Sequence, residues 1–181
     1  MKINKHILIS ALILVAVLTR LMPHPVNFGP MAAIALFAGS RMGSRWMAAM
    51  AVILAATVSD LLVNALIYDY FSLSYFVQGG TLAIYACYLL FMYMGSGIKQ
   101  VSIPAVGGRA LLSSVIFFAA TNLMVWLGSG MYSNDLPGLL QCYTMALPFF
   151  QNTIAGDLLY SAALFGTLAY VEKQQPVWLK A

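Results

Sequence analysis

The sequence predicts an all-α integral membrane protein with six transmembrane helices. Of its 181 residues, 62% are hydrophobic and 8% are charged, whereas soluble domains carry about 25% charged residues. Apolar segments recur along the whole chain, and a segment of about twenty such residues matches a hydrocarbon core of roughly 30 Å. The predicted spans form a single transmembrane domain over residues 1–181, at residues 7–22, 31–40, 46–67, 77–94, 110–127 and 153–171.

The first two spans are unusual, and each needs its own justification. The first follows a basic start and resembles a signal peptide. However, no Ala-x-Ala cleavage pattern follows and the apolar run ends at Arg20, so we predict a retained helix. The second has only ten residues, which reach about 15 Å as a helix. It is expected to cross together with irregular chain, which membranes tolerate where it is buried in protein or lines a cavity.

The two connections rich in proline or polar residues are expected to shape a site. Residues 19–30 contain an arginine, a histidine, an asparagine and three prolines. Proline fixes its own φ, lacks an N–H donor and pushes the preceding residue out of the α region. We therefore expect a non-helical turn there. In the second connection, residues 128–152, an apolar piece at 139–150 is expected to be broken by Pro148 and to form an interfacial helix or a lid.

The basic residues predict the orientation of the spans. Six spans place all of them except Arg20 on one side, namely Lys2, Lys5, Arg41, Arg45, Lys99, Arg109, Lys173 and Lys180. Basic residues of membrane proteins collect in cytoplasmic loops, so both termini are predicted to be cytoplasmic. The formal net charge of +4 is explained by this bias, and no nucleic-acid partner is predicted.

Polar side chains within the spans gather at the opposite side. A charge at the middle of a spanning helix costs about 2.5–3.5 kcal/mol, so it usually faces the bundle interior and has a partner. We expect Arg20 to pair with Asp60 or Asp157. The predicted substrate-binding residues are six polar groups at one depth, together with three from the two connections: Arg20, His24, Asp60, Asn64, Asn122 and Asp157, and Asn27, Gln141 and Asn152.

Each of these polar residues also has a purely structural interpretation. An arginine–aspartate pair locks helices together, and Asn64 and Asn122 can serve as interhelical hydrogen-bond partners worth about 0.6 kcal/mol each. His24, between two prolines, is more often a turn residue than a metal ligand. The cysteines Cys87 and Cys142 have neither metal-type spacing nor a disulfide framework. No cofactor, metal site or catalytic residue is predicted.

Two stretches of the chain carry a resemblance to a known family. The first is Arg20–Phe37. The second is Gly138–Asp157, in which three segments carry the resemblance: Gly-Leu-Leu-Gln-Cys-Tyr, Ala-Leu-Pro-Phe-Phe-Gln-Asn-Thr and Gly-Asp. They resemble an uncharacterised bacterial family of membrane proteins described as transport proteins. The architecture is similar to the substrate-binding S components of energy-coupling-factor (ECF) vitamin transporters. The resemblance implies an ECF S-component-like bundle in a bacterial inner membrane, with an ECF-type transmembrane and ATPase module as partner.

The favoured interpretation is a membrane-embedded protein, not an enzyme, that binds a small vitamin- or heterocycle-like solute for transport. The chain lacks a Gly-x-x-x-x-Gly-Lys-Ser/Thr loop, so an energising module would be a separate protein. One alternative is an intramembrane acid–base enzyme using Asp60, Asp157 and His24, although no Ser/His/Asp or His-Glu-x-x-His pattern supplies a nucleophile or a metal. Another is a structural or assembly subunit of the membrane.

Overall fold

A computed structural model describes residues 5–69 and 73–174, and these residues form a bundle of helices. They contain six α-helices and no β-strand, which confirms the all-α prediction for this part of the chain. The helices are α1 (Lys5–Leu18), α2 (Met31–Arg41), α3 (Arg45–Leu66), α4 (Gly79–Ser96), α5 (Ile103–Gly128) and α6 (Leu136–Gln174). Lys2 and Lys180, which helped to predict the orientation, lie outside the described residues.

Four of these helices are long and apolar enough to cross a membrane. They are α3, α4, α5 and α6, with 22, 18, 26 and 39 residues. The other two are shorter, with 14 residues in α1 and 11 in α2. At 1.5 Å per residue α2 is about 16 Å long, roughly half the thickness of a hydrocarbon core. The bundle is therefore of membrane type, with four helices of spanning length in the described part of the chain.

The short helix α2 is the centre of the bundle. It packs against all five other helices, and the side chains from Ala33 to Ala38 are completely buried. A helix that is apolar on every side is typical of such a central position. Its closest neighbour is α4, because a Cβ atom on Gly39 would overlap the carbonyl oxygen of Met92, and one on Gly95 would overlap that of Leu36. These glycines bring the two backbones into direct contact.

Helix α5 begins earlier than predicted, at Ile103 instead of residue 110. The Ser102 side chain accepts a backbone N–H of the first turn at 3.3 Å, which is the usual way of capping a helix start. Arg109 fastens this turn to α4, since its Nε donates to the carbonyl oxygen of Met94 at 3.1 Å. The helix therefore extends seven residues before residue 110, where the predicted span starts.

Helix α6 is continuous through Pro148, and this corrects the prediction of a separate interfacial helix or lid. Packing against α5 holds the chain on both sides of the proline. Before it, the Tyr143 hydroxyl donates to the carbonyl oxygen of Ala119 at 2.6 Å. After it, the ring of Phe150 lies 4.5 Å from that of Phe118, centroid to centroid. Transmembrane helices tolerate proline because neighbouring groups compensate for the missing hydrogen bond.

The start of α6 is fixed by Asp135. Its Oδ1 accepts the backbone N–H of Gly138 at 2.8 Å and the hydroxyl of Ser133 at 2.6 Å. An aspartate in this position satisfies a free N–H group at a helix start. The hydrogen bond from Ser133, followed by that from Gly138, lowers the pKa of Asp135. The helix therefore begins beside Asp135 and not at residue 153, where the sixth span was predicted to start.

Candidate functional site

The connection between α1 and α2 is a rigid irregular turn. At its start the N–H of Met22 donates to the carbonyl oxygen of Thr19 at 3.1 Å, and further along the N–H of Phe28 donates to that of Pro25 at 3.1 Å. Asn27 has φ of +63°, in the left-handed region that asparagine adopts more readily than most residues. His24 is exposed, with Nδ1 2.9 Å from the Pro25 carbonyl oxygen. The prolines therefore produce the shaped turn that the sequence predicts.

Helix α6 holds this turn in place. The side-chain amide of Asn152 donates to the carbonyl oxygen of Val26 at 3.0 Å. One turn further along α6, a Cβ atom on Gly156 would lie 3.0 Å from the backbone nitrogen of Gly29, so only a residue without a side chain fits there easily. The rings of Phe28 and Tyr160 also meet, with centroids 5.8 Å apart. The position of the turn is thus set by one face of α6.

Arg20, at the end of the first helical segment, forms an ion pair with α3. Its Nη1 lies 2.7 Å from Oδ1 of Asp60, and the two side chains are 20% and 9% exposed. The same nitrogen contacts the hydroxyl of Ser59. On the other side of the carboxylate, the hydroxyl of Tyr85 in α4 donates to Oδ2 at 3.1 Å. This arrangement confirms that Arg20 pairs with one of the two predicted aspartates, and it joins three helical segments.

The second aspartate, Asp157, has a different environment. It is 4% exposed, and its Oδ2 accepts the hydroxyl of Ser114 in α5 at 2.6 Å. Within residues 5–69 and 73–174, Asp60 forms an ion pair with Arg20, whereas Asp157 forms none. The two buried carboxyl groups are therefore distinct, because Asp60 is neutralised by a cation and Asp157 is held by a neutral hydroxyl.

These groups surround a cavity of about 660 Å³ at the end of the bundle where the turn lies. This volume is within the range of small-molecule sites, roughly 300–1,000 Å³. One wall is aromatic, since the rings of Tyr88 and Phe117 stack with centroids 6.1 Å apart and planes 7° from parallel. Tyr75, before α4, also lines the cavity. Burial, followed by the negative charge of Asp60, raises the pKa of Tyr75.

Six of the nine predicted site residues line this cavity, namely Arg20, His24, Asn27, Asp60, Asn64 and Asp157. Asn152 acts beside it by fixing the turn. Asn122 and Gln141 do not line it, and their predicted role in substrate binding stays a prediction. The amide of Asn122 donates to Phe118 of its own helix at 2.8 Å, and Gln141 is exposed on α6.

Other residues of the site were missed by the sequence analysis. Some are polar partners of the charged groups, namely Ser59, Tyr85 and Ser114, and others are lining residues, namely Tyr75, Tyr88, Phe117 and Thr153. A signal existed for the α5 members, since Ala110, Ser114 and Phe117 recur at helical spacing on one face. Tyr75 and Tyr88 carried no such signal, because an aromatic ring in an apolar span is equally compatible with a lipid-facing position.

Comparison with known proteins places the chain in a family. The sequence profile described as a family of unknown function, DUF6580, matches residues 1–178. No curated protein and no solved structure matches the chain. The family match covers nearly all of the 181 residues, including every element that surrounds the cavity. The chain therefore belongs to the DUF6580 family.

Proposed function

We propose that the protein is a membrane-embedded substrate-binding transport protein that captures a small solute in this cavity. The observation that carries the proposal is the cavity itself. Polar groups from the turn, α3 and α6 meet there with a stacked aromatic wall. Buried polar groups inside a membrane are costly and usually functional. One ion pair would be enough to lock the helices, whereas Asp157, Asn64 and Thr153 add polar groups to the same space.

We further propose that all six helices, with the turn, cross the bilayer of a bacterial inner membrane. The ends of α2 and α4 near Arg41 and Lys99 lie opposite the cavity along the bundle, and the basic residues favour that end as cytoplasmic. The cavity would then open to the outer side, as uptake requires. A separate ECF-type module would energise release, since the chain carries no phosphate-binding loop of the common type.

The ion pair argues against Asp60 as the acid or base of the intramembrane enzyme considered above, whereas Asp157 is still available to that alternative. Asp60 is neutralised by Arg20, whereas a general acid or base must be free to exchange a proton with a substrate. His24 lies exposed in the turn, with its Nδ1 beside the Pro25 carbonyl oxygen. A structural subunit is a further alternative, and it differs from the proposed function because it binds no solute.

The orientation is tested by labelling single cysteines. In a background where Cys87 and Cys142 are replaced by alanine, Asn134→Cys lies in the exposed loop before α6 and Gln100→Cys in the exposed loop before α5. We expect an impermeant thiol reagent to label residue 134 in intact spheroplasts and residue 100 only after lysis. Labelling of residue 100 but not residue 134 in intact spheroplasts would reverse the proposed orientation and place the cavity on the cytoplasmic side.

Solute binding is tested by filling the cavity. Val63 lines the cavity on α3, whereas Val58 on the same helix is 40% exposed. We expect wild type and Val58→Trp to copurify with a small molecule detectable by mass spectrometry, and Val63→Trp to lose it. Adding that molecule back should stabilise the first two proteins by about 2.7 kcal/mol at 100 times its dissociation constant.

The control separates loss of binding from loss of folding. All three proteins should elute as single peaks in detergent, because the tryptophan at residue 58 lies on the exposed side of α3 and the one at residue 63 projects into the cavity. A molecule that still binds Val63→Trp with unchanged affinity would show that the site is elsewhere. If wild type retains no molecule and none in a broad library of vitamins and heterocycles stabilises it, the structural subunit becomes the better interpretation.

A further inference from the structure

We infer that the solute taken by this cavity is a small organic cation that carries a planar ring. The inference rests on the proposed function and names the chemical class of its substrate. In this arrangement the positive nitrogen of the solute pairs with the carboxyl group of Asp157. Its ring lies against the stacked rings of Tyr88 and Phe117, which line the same cavity.

The charges lining the cavity favour a cation. Arg20 and Asp60 neutralise each other across 2.7 Å. Asp157 is the further carboxyl group of the lining, and its recorded partner is the neutral hydroxyl of Ser114. No lysine, arginine or histidine in the described part of the chain forms an ion pair with it. A buried carboxylate is unfavourable without a counter-ion and otherwise takes up a proton, so a bound cation would supply the charged partner that residues 5–69 and 73–174 do not provide.

The same charges disfavour an anionic solute. A carboxylate or phosphate ligand needs a cationic donor, most often an arginine. Among the described residues that line the cavity, Arg20 is the arginine that could supply such a donor. Its Nη1 already contacts both Asp60 and Ser59. An anion on the remaining N–H groups of Arg20 would lie beside the carboxylate of Asp60, in a cavity that also holds Asp157. The remaining titratable groups of the lining are His24, Tyr68, Tyr75 and Tyr88.

The aromatic wall favours a flat ring beside the charge. The planes of Tyr88 and Phe117, which both line the cavity, are 7° from parallel. Stacked rings present a flat apolar face, and aromatic faces also attract cations. A cavity of about 660 Å³ is large enough for a one- or two-ring molecule. The lining thus combines the carboxyl group of Asp157, which has no ion-pair partner among the described residues, with a flat aromatic surface.

The test uses three probes that share an indole ring and differ in charge. Tryptamine is a cation at neutral pH, tryptophol is its neutral alcohol and indole-3-acetate is an anion. Binding to the purified full-length protein in detergent is measured by calorimetry and by thermal shift, and any copurified solute is identified by mass spectrometry. We expect tryptamine to bind at least about tenfold more tightly than either analogue, and any copurified solute to contain a basic or quaternary nitrogen.

Two pairs of variants locate the binding groups. Asp157→Asn removes the acid in the cavity, and Asp135→Asn makes the same change in the exposed loop before α6. Phe117→Leu removes a ring of the wall, whereas Phe118→Leu alters the neighbouring ring, which packs on Phe150 instead. We expect Asp157→Asn to weaken tryptamine binding by about tenfold or more and to leave tryptophol binding unchanged. Phe117→Leu should weaken both, and the two controls neither.

The outcomes separate this inference from the proposed function. If a neutral or anionic solute copurifies, or if tryptophol binds as well as tryptamine and Asp157→Asn changes neither, the cavity binds solutes but does not select cations. The proposed function then stands and the inference is overturned. If no solute copurifies and no probe binds the wild type, both are overturned. Loss of tryptamine binding in Asp135→Asn to the same extent as in Asp157→Asn would also overturn the inference, because the effect would not come from the cavity.

Discussion

Replacing Gly95 with leucine is expected to prevent the protein from folding into a stable bundle. A Cβ atom at this position would overlap the carbonyl oxygen of Leu36 in the central helix α2. A backbone atom cannot turn aside as a flexible side chain can, so α2 and α4 must move apart along their whole contact. Overpacking a well-packed interior costs about 1–3 kcal/mol even for small additions. We expect Gly95→Ala to lose about that much and Gly95→Leu to yield no monodisperse protein in detergent.

The control for this prediction is Gly107→Ala. Gly107 lies inside α5, and a Cβ atom there would meet nothing within 4 Å. Because the two alanine substitutions are chemically identical and both lie within helices, their difference in melting temperature reports the α2–α4 contact alone. Gly107→Ala should match or slightly exceed the wild type, since alanine favours helix over glycine. Equal stability of Gly95→Ala and Gly107→Ala would mean that the two helices do not approach this closely.

Breaking the pair between Arg20 and Asp60 is expected to have the second-largest effect. Removing one partner of a buried pair leaves an unpaired charge and typically costs 3–5 kcal/mol. The 20% exposure of Arg20 favours the lower end, about 3 kcal/mol. We expect Arg20→Gln and Asp60→Asn each to lower the free energy of unfolding by about this amount. The double variant should lose less than the sum, because it leaves two neutral amides.

Arg45→Gln is the matched control for Arg20→Gln, because Arg45 is exposed at the start of α3. This change removes an exposed cation–π contact with Tyr93, whose ring centroid lies 5.6 Å from the guanidinium, and should cost no more than about 1 kcal/mol. Unfolding in detergent, followed by circular dichroism, measures all four variants against the wild type. Strictly additive losses in the double variant would contradict a direct interaction between Arg20 and Asp60.

The energetic cost of charge in a membrane made part of the site predictable from sequence. Arg20 and Asp60 are both expensive at membrane depth, so their pairing followed from the need to neutralise each other. The depth of a residue along a span could also be read from the sequence. The face of the helix it occupies could not, because spans that are apolar nearly all round show little periodicity. Asn122 illustrates this, since it has the right depth and hydrogen-bonds within α5.

Local rules failed where packing between helices dominates. Pro148 signals a helix end in isolation, yet contacts of Tyr143 and Phe150 with α5 keep α6 continuous. The glycines that allow α2 and α4 to touch could be recognised as small residues, but their mutual alignment depends on the three-dimensional path of the turn. The aromatic wall was missed for a related reason, because the stacking of Tyr88 on Phe117 joins two helices that local sequence does not pair.

The complete burial of α2 has a consequence for biogenesis. A nascent chain that has emerged only as far as Arg41 offers this helix none of the surfaces that cover it in the finished protein, apart from α1. At 11 residues it is too short to span the hydrocarbon core by itself. Its partners in α4 and α6 are synthesised later, so α2 cannot insert as an independent first-stage helix. In the membrane topology proposed above, its integration would instead be a late, collective event that follows the synthesis of those helices.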